Sequence, residues 1–246
     1  MASPINRQDF SAYMKDGFGN VQGWCSSDLC RVAAICSELQ ATHGVDGGVG
    51  EIGVHHGKFL IALALLKYRQ PSVAIDVFDL QNLNVDRSGR GNKEIFLENF
   101  KRYAGDREIH CVTADSMQLT PGKIFEVAGK VSPLSMFSVD GCHTAEHTLN
   151  DLLIGEEMVG SGGIIFIDDY YNPNWPGVQE GIAKYFFTRP VRYVPLCFAF
   201  SKLLLVDIAY HDRFLKRLEP RLKAVDSWAV KRVKRFGWEN FSVRRA

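Results

Sequence analysis

The sequence predicts an α/β fold in which a mostly parallel sheet is covered by helices and closes with an antiparallel hairpin. Three observations carry this. Short apolar runs rich in Val, Ile and Phe alternate with longer segments whose apolar residues recur at helical spacing. Two of the runs, Leu134–Val139 and Gly163–Ile167, are apolar almost throughout, as strands buried on both faces are. The last two runs, within RYVPLCFAFSKLLLVDIAY, are separated only by Phe200-Ser201-Lys202, too little chain for a crossover, so they must pair antiparallel.

The chain has 246 residues, 46% of them apolar, enough for one α/β domain with a full core. Residues 1–24 are Gly-rich and polar and read as an irregular arm; residues 25–209 form the domain; residues 210–246 read as a basic helical extension. The net charge is +1, yet Tyr210–Ala246 holds eleven Lys or Arg against four Asp or Glu. A solvated helix face docking on the acidic body accounts for that asymmetry, and no nucleic-acid partner is expected. The six cysteines show no C-x-x-C pair and mostly lie in apolar segments, which fits a reduced, cytoplasmic setting. The N-terminus lacks a leader pattern and no run is long enough to span a membrane. Self-association stays open.

In chain order, Ser26-Ser27-Asp28 offers caps for a helix whose apolar positions Leu29, Val32, Ala33, Ile35, Cys36 and Leu39 follow a 3.6 period and which ends near His43-Gly44. Next comes GGVGEIGVHHGKFLIALALLKY: a strand through Val49–Val54, a turn, and an apolar helix from Lys58. Gly48-x-Gly50-x-x-Gly53 spells a dinucleotide pattern, but that motif must follow a strand and residues 41–47 are not one. Gly53 and Gly57 instead shape the strand-to-helix turn, where a ligand meets backbone. The second strand, SVAIDVFD, ends in acid; Asp76 or Asp79 stands where a ribose is held by its hydroxyls. Residues 80–92 are a polar loop longer than a connection needs, a wall or lid of the site. A helix over Lys93–Tyr103 leads to a strand, Glu108–Thr113, which ends at Asp115-Ser116, and a variable stretch follows around Pro121-Gly122. The helix Thr144–Val159 links the two fully apolar strands, and Val178–Phe187 is helical behind Pro176-Gly177. The tail reads as amphipathic helix to Phe236, broken at Pro220.

The two apolar strands deliver the chemistry. The first ends at Asp140, with His143 three residues on, and the second at Asp168-Asp169. The C-terminal strand ends of an open α/β sheet form its ligand crevice, so these groups meet at one rim. Three close carboxylates repel one another unless a cation neutralises them, and oxygen ligands favour a hard ion such as Mg²⁺, Mn²⁺ or Ca²⁺ over zinc.

EIGVHHG, AIDVF, TADS, DGCH and IDDYYNP, in this order, resemble class I S-adenosylmethionine-dependent methyltransferases over residues 45–208. The likeness is strongest to the metal-dependent O-methyltransferases of the catechol and macrolide-sugar types. It implies a Rossmann-like, seven-stranded sheet and S-adenosylmethionine as cofactor. By resemblance Glu51, Gly53 and Gly57 contact the methionine portion, Asp76 the ribose, and Asp115 and Ser116 the adenine. Asp140, Asp168 and Asp169 match the metal ligands, magnesium first among the ions, and His143 the general base. His55 replaces a middle glycine of many members. Position 143 is Lys in catechol-type enzymes and His in some sugar-modifying ones, which points to a small-molecule acceptor with a sugar or other vicinal diol.

Three alternatives stand beside this. His143-Thr-Ala-Glu146-His147 spells H-x-x-E-H, a metallohydrolase pattern, although His143 falls just after a strand rather than within a helix. A metal-independent methyltransferase would use the same fold, and a scaffold would keep it without catalysis.

Overall fold

The computed structural model describes residues 7–67, 70–131 and 133–246. Its centre is one nine-stranded sheet in the order β3-β2-β1-β4-β5-β7-β6-β9-β8. The parallel part comprises β1 (Gly48–Ile52), β2 (Ser72–Asp76), β3 (Ile109–Thr113), β4 (Leu134–Val139) and β5 (Val159–Ile167). The hairpin of β6 (Tyr193–Ala199) and β7 (Lys202–Asp207) follows, with β7 antiparallel to both β5 and β6. The order reverses between β1 and β4, the switch point at which such sheets open a ligand crevice.

Alternate strand residues feed two cores. Val49, Ala74, Met136, Phe166 and Leu204 pack towards α2 (Ser27–Ala41), α3 (Lys58–Leu66), α4 (Lys93–Ala104) and α8 (His211–Lys223). Ile52, Ile75, Phe137, Ile165 and Leu205 pack towards α5 (Pro121–Val131), α6 (Ala145–Met158) and α7 (Pro176–Thr188). Burying both faces explains why these strands read as unbroken apolar runs. Ser26 caps its helix as expected, accepting from Leu29 N–H, and Asn92 and Thr144 do the same from Ile95 N–H and His147 N–H. Gly48 and Gly50 lie inside β1, so the dinucleotide register is excluded.

Four expectations need correction. The sheet has nine strands rather than seven. The extension is helical only over α8, and β8 (Trp228–Arg235) and β9 (Trp238–Arg245) then form a hairpin, with β9 parallel to β6. Its tight turn is Phe236-Gly237, both at positive φ, the conformation that two-residue hairpin turns require. Pro220 sits within α8 without ending it, because Phe214, Leu215, Leu218 and Leu222 are buried and outweigh a proline cost of about 3 kcal/mol. The variable stretch is α5, which buries Val127 and Val131. The arm's described part is ordered: α1 (Arg7–Ala12) and a π-helical turn, Tyr13–Gly17, from which Tyr13 Oη donates to the Lys58 carbonyl at 2.9 Å. All six cysteines are free, and no described helix is long and apolar enough to cross a membrane.

Candidate active site

The parallel ladder runs one residue past each strand at the switch point. Gly53 N–H donates to Ile75 O at 2.9 Å, Asp140 N–H to Ile52 O at 2.9 Å, and Asp168 N–H to Val139 O at 3.0 Å. Backbone pairing thus fixes Gly53, Asp140 and Asp168 side by side at one edge. Gly53 has φ +82°, and a Cβ there would lie 1.8 Å from the Asp140 carbonyl oxygen, so only glycine lets the two strand ends approach this closely. In front lies a cavity of about 790 Å³, the size of a cofactor and small-ligand site.

Asp140 and Asp168 share a partner that the sequence did not advertise. Lys202, the first residue of β7, is fully buried, with Nζ 2.9 Å from Asp140 Oδ2, 2.8 Å from Asp168 Oδ2 and 3.4 Å from Ser138 Oγ. Read as part of a hairpin turn, it is the cation of the site. Burial would raise Asp168, but the Lys202 charge outweighs it and holds this carboxyl below its ordinary value. Burial and the Asp168 charge push Asp140 up, and burial pushes Glu51, 2% exposed at the back of the cavity, up to about 8.

A second pair lies beside the first. His143 follows β4 in the loop before α6, and its Nε2 is 3.0 Å from Asp169 Oδ2. Asp86, from the polar loop 80–92, accepts from His143 N–H at 2.7 Å and lies 2.7 Å from Nδ1. Burial alone would lower the imidazole, but the bonds to Asp169 and Asp86 outweigh it and push its pKa up to about 9. Between these two carboxylates the imidazole favours its protonated form. Trp175 stacks on the same ring at 4.2 Å and 14°. Asp86 was hidden in a loop read only as a wall; its signal was its place opposite the site, not its spacing.

Every predicted site residue except Gly57 lines the cavity. Gly57, at φ +90°, starts α3 and packs against Phe96. Asp76 accepts from His55 N–H at 2.8 Å and Phe78 N–H at 2.6 Å, leaving lone pairs on both oxygens for hydroxyls. Asp79 instead holds Asn92 and the Lys93 N–H at the start of α4. Asp115 and Ser116 stand beside His147, whose Nε2 is 3.6 Å from Asp115 Oδ1. Gln22, Gly23 and Trp24 from the arm, with Cys25 and Ser26 just after it, complete the wall.

Residues 51–170 match the family model described as a methyltransferase domain. The likeness to a methyltransferase domain spans just under half of the chain. Its fold is the Rossmann-like one of class I methyltransferases, a mostly parallel sheet flanked by helices with antiparallel strands at the C-terminal end. The O-methyltransferase NovP superposes on this chain with TM-score 0.60 and 16% identity, over 73% of this chain and 79% of that one. CalS11, a TDP-rhamnose 3'-O-methyltransferase of calicheamicin biosynthesis, gives 0.52 and 17%, over 81% and 92%. MycE of the mycinamycin pathway, solved with Mg, S-adenosylhomocysteine (SAH) and mycinamycin VI, gives 0.53 and 14%, over 84% of this chain and 55% of that one. A comparison with curated proteins found no match.

The metal cage expected of Asp140, Asp168 and Asp169 does not fit the residues as they stand. Lys202 occupies the position between Asp140 and Asp168, and the other oxygen of Asp168 accepts from Asp169 N–H at 2.8 Å. The described cluster that offers ligand atoms within 4.8 Å of one another is Asp140, His143 and Asp169. The hydrolase pattern is dispersed: Glu146 pairs with Lys184 on the exposed face, and His143 and His147 face different carboxylates.

Proposed function

We propose that this methyltransferase moves a methyl group from S-adenosylmethionine to a hydroxyl of a small molecule, a sugar or other vicinal diol. One observation carries the reading: the imidazole of His143 opens onto the same cavity as Glu51, Gly53, Asp76, Asp115 and Ser116. When bound, S-adenosylmethionine supplies an electrophilic methyl on a sulfonium. Asp76 accepts the ribose hydroxyls, Asp115 and Ser116 border the adenine, and Glu51–Gly57 forms the turn against the methionine portion. The acceptor enters between Trp24, Trp175 and the loop 80–92, where flat indole faces suit the C–H faces of a sugar. Holding the two reactants in line supplies much of the acceleration. His143 takes the hydroxyl proton through Nε2, with Asp86 fixing the ring. Because the imidazole is mostly protonated at neutral pH, transfer speeds up as pH rises towards 9.

A second reading adds a divalent cation held not by the three-acid cage but by Asp140, His143 and Asp169; that juxtaposition favours it. Calorimetry with S-adenosylmethionine and its demethylated product, followed by a screen of sugar and catechol acceptors with and without Mg²⁺, tests both. Cofactor binding with methylated acceptor supports the transferase; absence of cofactor binding by the folded protein rejects it.

A further inference from the structure

Glu51, Asp140 and Asp168 form an acidic back wall to the cavity, and such a wall needs a cation. The chain supplies one. Lys202 is the residue at which the antiparallel hairpin returns beneath the ends of β4 and β5, since its neighbour Leu203 pairs with Ile167. An ammonium has three donors, and Asp140, Asp168 and Ser138 stand within reach of all three. Its open side lies over the Phe59 ring, 5.0 Å from the centroid. A fully buried lysine without these carboxylates would be prohibitively unstable, so acids and ammonium require each other.

We propose that Lys202 takes the place of a divalent metal in this site: its ammonium holds Asp140 and Asp168 in position, and methyl transfer proceeds without a metal ion. A cation bridging those two acids would have to sit where Nζ now sits, and one placed beside it would meet its positive charge at close range. The neighbouring corner is also filled. Asp169 Oδ2 is bonded to His143 and Oδ1 accepts from Asn172 Nδ2 at 2.8 Å. Lys202 is thus a positioning residue behind the reacting groups. The inference rests on the transferase reading for its second half only; the cation site can be tested without turnover.

The test is a titration of the full chain with Mn²⁺ alone, followed by electron paramagnetic resonance of the free ion. The parent is expected to bind no Mn²⁺ more tightly than about 1 mM. Lys202→Met, which frees two carboxylates, should gain a site at least about tenfold tighter, and Asp140→Asn on that background should lose it. A merely structural lysine would not move metal affinity in this direction. Should Lys202→Met fail to fold, the parent titration decides alone: a parent site of about 100 μM or tighter that Asp140→Asn removes overturns the proposal. With an acceptor in hand, turnover unchanged in excess EDTA supports it, and turnover abolished by EDTA and restored by Mg²⁺ overturns it. If the folded protein binds no S-adenosylmethionine, the transferase reading falls while the Mn²⁺ titration still judges Lys202.

Discussion

Two ion clusters stand side by side at this rim and differ in how they meet solvent. In the first, Lys202 is sealed between Asp140 and Asp168 with no exposure; in the second, His143 is held between Asp86 and Asp169 with its side chain 10% exposed and bordering the cavity. Both place a cation between two carboxylates. The lysine has no route to exchange its proton and serves to hold strand ends, whereas the imidazole faces the ligand and can pass a proton on. The comparison teaches that acids converging on a strand-end rim need not share one role.

The sharpest way to break the contrast is to remove each cation in turn. His143→Ala should lower turnover by roughly 10²–10⁴-fold while cofactor affinity changes little. His147→Ala, one helical turn along and facing Asp115, should cost less. If the alanine variant loses stability but keeps turnover, His143 is only a loop support. Lys202→Met should reverse the pattern, lowering the unfolding free energy by about 3–5 kcal/mol in a denaturant titration, because it strands two buried carboxylates. A loss below about 1 kcal/mol would mean the ammonium is not seated between them.

A third carboxylate sharpens the point that burial without a cation acts differently. Asp151, fully buried in α6 and bonded to Ser116, has its pKa raised to about 7, chiefly by burial. The native state therefore keeps a proton that the unfolded chain has lost, and the stabilisation present below pH 3.8 disappears as pH rises to about 7. Asp151→Asn keeps an acceptor for Ser116 and removes this loss. Its stability relative to the parent should rise by about 2–4 kcal/mol between pH 4 and pH 8, measured by thermal melts across that range. A pH-independent difference would show that Asp151 is ionised in the fold. The smallest effect is expected at Trp24, 74% exposed and 5.3 Å from the His55 ring. Trp24→Ala should raise acceptor KM by roughly tenfold or less and leave cofactor affinity alone; the opposite split would place the indole over the donor.

Much of this arrangement was readable from the chain. β4 matches its expected bounds, Leu134–Val139, and the acids fall at strand ends because parallel strands announce themselves as short apolar runs. Lys202 was not readable. A lysine between Phe200-Ser201 and Leu203 looks like a solvated turn, and only the register of β7 against β5 shows that it points under the rim. Asp86 was equally silent, since a loop's reach is set in three dimensions. The C-terminal hairpin was misread because the density of Lys and Arg suggested a solvated helix. The period-two pattern of Trp228 and Val230, on the same face as Phe241 and Val243, was weaker than that charge signal.

Single-turnover transfer from S-adenosylmethionine with a labelled methyl is the sharpest test of methyl transfer at this rim. A panel of sugar and catechol diols would be mixed with the parent and with His143→Ala. Label is expected on a diol oxygen with the parent, and labelling at least about a hundredfold slower with the variant. Equal labelling by both proteins would contradict this.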